Sequence, residues 1–323
     1  MASTAGRLMT AGTTTRRGTL WQRIWAARWC YLFMLPSLIL AAMFTFYPIV
    51  ASWYISFLDW SGFTAARQWV GLENYREVIG DQYFWAAFRR SFVFMGVSLP
   101  IRLGLALGLA ILLNDQALKL SPVFRTFFFI PVVTTAAIVG IVMTFVFSPF
   151  NGPVNKFLLG SGLADRPVDF LGTPDTALWT VLAVFIWKNL GITMIYWLAA
   201  LQTIPAELYE AAKVDGATGW ASFRRITLPL LAPFTIIITL ITAVQTLHVF
   251  PIVQAMTGGG PFFSSEVIEV YIYRTAFGEG GIPRLGYASA AAVFFGLATL
   301  VIAIIQGVGL RRANAARREL NLG

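Results

Sequence analysis

Six long apolar runs, separated by shorter polar stretches, predict a bundle of membrane-crossing helices. An apolar helix of roughly 20 residues crosses a bilayer, and each run reaches that length. They are Cys30 to Phe57, Phe88 to Asn114, Phe124 to Ser148, Ala177 to Leu201, Leu230 to Met256 and Gly286 to Leu310. Away from their ends the charged side chains are Arg102 in the second and Lys188 in the fourth, and the fifth carries Thr242, Gln245, Thr246 and His248. Pro131 lies inside the third. The expected fold is all-α, a polytopic membrane protein with six transmembrane helices over 30–310. A basic arm over 1–29 precedes the bundle and a basic tail over 311–323 follows it.

An even number of spans puts both termini on one side, and charge selects the side. The N-terminal arm, the 2–3 loop, the 4–5 loop and the tail carry 14 Lys/Arg against 5 acids; the opposite loops carry 8 against 10. Basic loops face the cytoplasm, so both termini are read as cytoplasmic. This distribution accounts for the net charge of +9 without a nucleic-acid partner. Gly, Ala and Thr dominate the first twenty residues, which predicts disorder there. Trp21, Trp25 and Trp29 read either as an aromatic collar or as an interfacial helix on the lipid surface. The first apolar run is too long for a cleaved secretory signal.

The 4–5 loop, over 203–229, is the one long charged stretch that still looks helical. Pro205 suits a first helical turn, Glu207 and Glu210 the positive end of a helix, and Lys213 the negative end. Gly216 supplies a left-handed stop, Thr218 can cap a second short helix running to Arg225, and Pro229 closes the unit. Such an elbow cannot bury the stripe Leu208, Ala211 and Ala212 within itself. Either it packs under its own bundle or it fits a socket on another protein.

Composition and motifs remove most enzymatic readings. One Cys excludes an internal disulfide and one His excludes a His-pair metal site. There is no G-x-x-x-x-G-K-[ST], no H-E-x-x-H and no G-x-S-x-G. No Asp or Glu lies mid-span, which counts against a proton- or sodium-coupled carrier. A stand-alone channel or ion-coupled carrier is the rival of another class.

Glu210-Ala211-Ala212, then Asp215-Gly216-Ala217, then Ile226, Leu228 and Pro229 resemble the EAA loop of ABC-importer permeases. Val70-Gly71-Leu72-Glu73-Asn74-Tyr75 and Thr257-Gly258-Gly259-Gly260-Pro261 resemble the sugar branch, and the likeness covers roughly Tyr31 to Gly307. The resemblance implies a type I importer permease fold and a subunit that forms half of a translocation path for a sugar or oligosaccharide. Glycerol 3-phosphate is the alternative cargo, its phosphate meeting Arg102 or Lys188. The implied partners are a second permease, two ABC ATPases holding ATP and Mg, and an external solute-binding protein. The implied location is a bacterial or archaeal plasma membrane, in contact with lipid. The implied coupling residues are Glu207, Glu210, Ala211, Ala212, Asp215, Gly216, Trp220 and Phe223. Lys188 is a candidate cargo residue as an intramembrane charge, and the cargo residues that the resemblance implies are Val132, Thr135 and Ala136; Leu190, Gly191 and Met194; and Thr242, Gln245, Thr246 and Val249. The last four share one face of a continuous fifth helix at i, i+3, i+4 and i+7, and His248 lies off it.

Overall fold

The computed structural model describes residues 21, 25, 27–114, 118–278 and 281–320, with 309–320 by backbone alone. The expected disorder of the first twenty residues lies outside these. Two compact units are present, Met1–Ser52 and Trp53–Gly323. From Arg28 on, the first unit is the apolar helix α1 (Arg28–Ile55), whose last residues belong to the second unit and which widens into one π turn at Ala42–Phe46.

In the second unit, β1 (Leu58–Asp59) pairs antiparallel with β2 (Gln68–Trp69). Then come α2 (Glu73–Gly80), α3 (Gln82–Asn114), α4 (Ser121–Val133), α5 (Ala136–Val146), α6 (Pro153–Gly160) and α7 (Pro174–Leu201). The elbow helix α8 (Ala206–Val214) precedes α9 (Gly219–Leu247), α10 (Phe250–Met256), α11 (Ile268–Phe277) and α12 (Leu285–Leu320). Among the described residues α1, α3, α7, α9 and α12 are each long and apolar enough to cross a bilayer.

Two spans differ from the sequence expectation. The third is not continuous over Phe124 to Ser148: α4 and α5 meet at 100°, a bent pair that makes the sixth crossing only if counted as one. Thr134 and Thr135 are extended at the bend, with ψ of 140° and 143°. Pro131 has already withdrawn one backbone donor, and two β-branched threonines favour the extended form. The fifth span ends at Leu247 rather than Met256. Pro251 cannot bond the Leu247 carbonyl and its ring would strike it, so the chain restarts as α10. Glu269 on α11 caps that restart, its Oε2 accepting from Phe250 N at 2.8 Å and its Oε1 facing His248 Nδ1 at 3.0 Å.

Helix α7 is the central post. It packs on α3, α4 and α9, and its buried side chains enter two apolar layers. The first gathers Phe94, Val181, Phe185, Ile252 and Val267; the second Ala106, Met194, Trp197, Leu201 and Leu231. Gly191 permits the α4 crossing, because any Cβ there would strike the Phe128 carbonyl and the Phe129 backbone. The 3–4 loop holds α6. Asn155 ties it down, donating to the Ser148 and Val168 carbonyls, both at 3.0 Å.

Asp81, between α2 and α3, joins four elements. Its Oδ1 accepts from Tyr83 N at 2.7 Å and Phe84 N at 3.3 Å, capping α3. Its Oδ2 accepts from Tyr271 of α11 at 2.5 Å and Tyr287 of α12 at 2.7 Å. Burial pushes the carboxyl pKa up, but the two tyrosine hydroxyls and the two backbone donors outweigh it and hold it below the ordinary value.

Candidate functional site

The elbow folds as its residues dictate. Pro205 stands at the N-cap of α8 rather than inside its first turn, with ψ of 135°. Gly216 takes φ of +73°, a conformation that costs a residue with a Cβ roughly 1–2 kcal/mol. Thr218 Oγ1 accepts from Ala221 N at 3.2 Å and so caps the start of α9. Tyr209 anchors the elbow by a 2.9 Å hydroxyl bond to Thr227.

The inward face of α8 is Tyr209 and Ala212, not the whole stripe Leu208, Ala211 and Ala212. Glu207, Leu208, Glu210 and Ala211 are exposed, as are Asp215 and Gly216. Trp220 is 69% exposed and stacks its ring 5.4 Å from half-buried Phe223. Six of the eight predicted coupling residues, Trp220 among them, therefore form one open surface. A 440 Å³ cavity lies behind it, lined by Tyr209, Lys213 and Phe223 on the elbow side and Ile111 and Leu201 on the bundle side.

Pro229 does not close the unit. After Gly219–Ser222 the chain makes a π turn at Phe223–Thr227 and continues as helix through Pro229 to Leu247. The wider π turn takes in the carbonyl of Arg225 that the proline ring would otherwise strike. The second arm of the elbow is thus the lower end of the fifth span. At 1.5 Å per residue the combined rod is about 40 Å long.

At the far end of this rod lies a polar node. Arg102 of α3 is fully buried. Its Nε donates to the Asn189 carbonyl at 3.2 Å and to Thr193 Oγ1 at 2.7 Å, both on α7. Its Nη2 donates to Gln245 Oε1 on α9 at 2.9 Å. One guanidinium therefore joins three spans. Lys188, 8% exposed, directs its ammonium at the Val132 carbonyl, 3.5 Å away beside the α4–α5 bend. The ion pairs among the described residues all lie elsewhere, so neither cation meets a carboxylate.

The structure brings Lys188 to Val132, and Gln245 to the node. Thr135 is exposed and Val132 and Ala136 half-buried at the bend, with Leu190 half-buried on α7. Others are enclosed: Gly191 packs on the α4 backbone, and Met194 is fully buried in the second apolar layer. Thr242 and Thr246 are buried, Thr246 Oγ1 donating to the Thr242 carbonyl at 2.7 Å. Val249 does not share the Thr242 face, because the helix has ended before it; it is buried in the first layer. His248 is off that face as expected, its side chain largely exposed. The Arg102–Gln245 bond escaped the sequence reading. Its one signal was a strong donor and an acceptor isolated in two apolar runs, which must find each other.

The chain matches the family model described as "Binding-protein-dependent transport system inner membrane component" over residues 101–314. It is 33% identical over 277 residues to the trehalose/maltose transport system permease protein MalF of Thermococcus litoralis, covering 85% of this chain and 91% of that one. The lactose transport system permease protein LacF of Rhizobium radiobacter is 33% identical over 278 residues, 85% of this chain and 92% of that one. The sn-glycerol-3-phosphate transport system permease protein UgpA of Agrobacterium fabrum is 30% identical over 275 residues, 85% and 91% of the two chains. A chain of the crystal structure of a bacterial ABC transporter that imports the acidic polysaccharide alginate superposes with a TM-score of 0.78 at 28% identity, covering 91% of this chain and 99% of that one. The same transporter in complex with alginate pentasaccharide-bound periplasmic protein matches equally well, covering 92% and 98%. An exposed elbow between two apolar spans, matched along nearly the whole bundle, makes this chain a member of the binding-protein-dependent transport system inner membrane component family, an ABC transporter permease.

Proposed function

We propose that the chain is the permease subunit of an ATP-driven importer for a sugar or oligosaccharide, forming half of the translocation path beside a second permease. Two ATPase subunits, holding ATP and Mg, supply the energy, and an external binding protein supplies the cargo. Both termini lie in the cytoplasm. The observation that carries this reading is the open elbow fused to a single rod that ends at the Arg102–Gln245 node. Force applied at Glu210 and Ala211 displaces a stiff helix, and the node passes that displacement to α3 and α7. A two-state bundle biased through one packed contact needs no more than this. The relatives named for lactose, trehalose/maltose and glycerol 3-phosphate support the cargo class.

A cysteine introduced at Ala211, with Cys30 replaced by Ser, tests the coupling role. It is expected to cross-link to the ATPase subunit in membranes holding the whole complex and to abolish uptake when cross-linked. Uptake by the chain reconstituted alone would refute the proposal.

A further inference from the structure

Two cations, Arg102 and Lys188, stand inside the bundle without a carboxylate among the described residues to balance them. Charges buried in this way are retained only where they are paired, bonded or used. Arg102 is bonded to neutral acceptors alone, and its Nη1 has no partner. The bonds also orient their neighbours. A guanidinium only donates, so Gln245 must turn Oε1 toward it and present Nε2, a donor, on its other side. Thr193 accepts from Arg102 and passes its own proton to the Asn189 carbonyl at 3.3 Å. Asn189 uses its Nδ2 on the Phe185 carbonyl at 2.9 Å and keeps Oδ1 as an acceptor. Gln245 Nε2, Arg102 Nη1 and the Lys188 ammonium are donors, and the acceptors beside them, Asn189 Oδ1, Thr242 Oγ1 and the Val132 carbonyl, are all neutral.

We propose that this interior selects saccharide cargo bearing a negatively charged oxygen, a uronic-acid type, and that Arg102 is the positioning residue that fixes Gln245 as a donor. Lys188, beside the α4–α5 bend, supplies the second positive charge. Neutral sugars offer hydroxyls that both donate and accept and gain nothing from the uncompensated field. An anionic sugar balances it. This rests on the saccharide reading above.

The test uses the complete importer in proteoliposomes, with binding protein saturated either by digalacturonate or by the neutral digalactose of the same linkage. The wild type is expected to transport the acidic probe faster, by about tenfold. Lys188→Gln should lower that acid-to-neutral ratio by about tenfold, and Gln245→Glu, which places a carboxylate against Arg102, should do the same. Arg102→Lys, keeping the charge, should retain more of the ratio than Arg102→Gln. A purely structural Arg102 would slow both probes equally and leave the ratio alone. Unchanged ratios in these variants overturn the inference. A wild type that transports only the neutral probe overturns it while leaving the saccharide reading intact. Transport of neither, with ATP hydrolysis intact, overturns both.

Discussion

Replacing Asp81 by Asn tests whether one carboxylate holds the outer ends of α3, α11 and α12 together. The amide oxygen can still accept from Tyr83 N and Phe84 N, so the α3 cap survives. The amide nitrogen, now facing the Tyr271 and Tyr287 hydroxyls, cannot accept from either. Hydrogen bonds to a charged acceptor contribute about 1.5–3 kcal/mol each, and the two tyrosines keep a 2.8 Å bond to each other. The Asn amide nitrogen can donate back to a tyrosine hydroxyl oxygen, which offsets part of this and leaves a loss of about 2–3 kcal/mol. Asp81→Ala removes the cap too, adding about 1 kcal/mol. Thermal unfolding followed by tryptophan fluorescence in detergent reads the effect; at about 2–4 °C per kcal/mol, the Asn variant should melt roughly 5–10 °C lower. Tyr271→Phe in the Asp81→Asn background should cost less than in the wild type, since its bond to Asp81 has already gone and only its bond to Tyr287 remains to be lost. Equal melting of wild type and Asp81→Asn, or full additivity with Tyr271→Phe, would refute the reasoning. The acid limb offers a second check. The carboxyl pKa is depressed in the fold, so its stabilisation is in place above the ordinary value of 3.8 and is lost as pH falls through the lower folded value. The melting difference between wild type and Asp81→Asn should therefore shrink below pH 4 and be level from pH 5 to 7.

Three further outcomes are expected. Gly191→Ala drives a methyl group into the α4 backbone at Phe128 and should cost about 1–3 kcal/mol, read as a lower melting point. Gly216→Ala places its Cβ in open space but must hold φ near +73°, so it should cost about 1–2 kcal/mol locally, reducing uptake more than bundle stability. Glu210→Lys, on an exposed side chain, should leave melting within about 0.5 kcal/mol of wild type while lowering uptake, measured alongside recovery of the ATPase on the purified permease.

Local chemistry made much of this protein legible from its residues. Runs of twenty or more apolar residues have few alternatives to a membrane helix, because a backbone in lipid must bond within itself. The elbow was equally readable: a left-handed turn at Gly216 and a hydroxyl cap at Thr218 depend on residues within a few positions of one another.

What needed the tertiary structure was every relation set by a neighbour distant in sequence. Apolar periodicity does not say whether Pro131 kinks a helix or, with Thr134 and Thr135, ends it at 100°; packing of α4 on α7 and of α5 on α10 decides. Nor does it show that Pro229 lies inside a rod or that Val249 lies beyond one, since one residue type serves both outcomes. Arg102 and Gln245 are 143 positions apart, and only the crossing of α3 with α9 brings donor to acceptor. Residue type determined which groups had to find partners in a solvent that offers none, and the fold determined which partners they found.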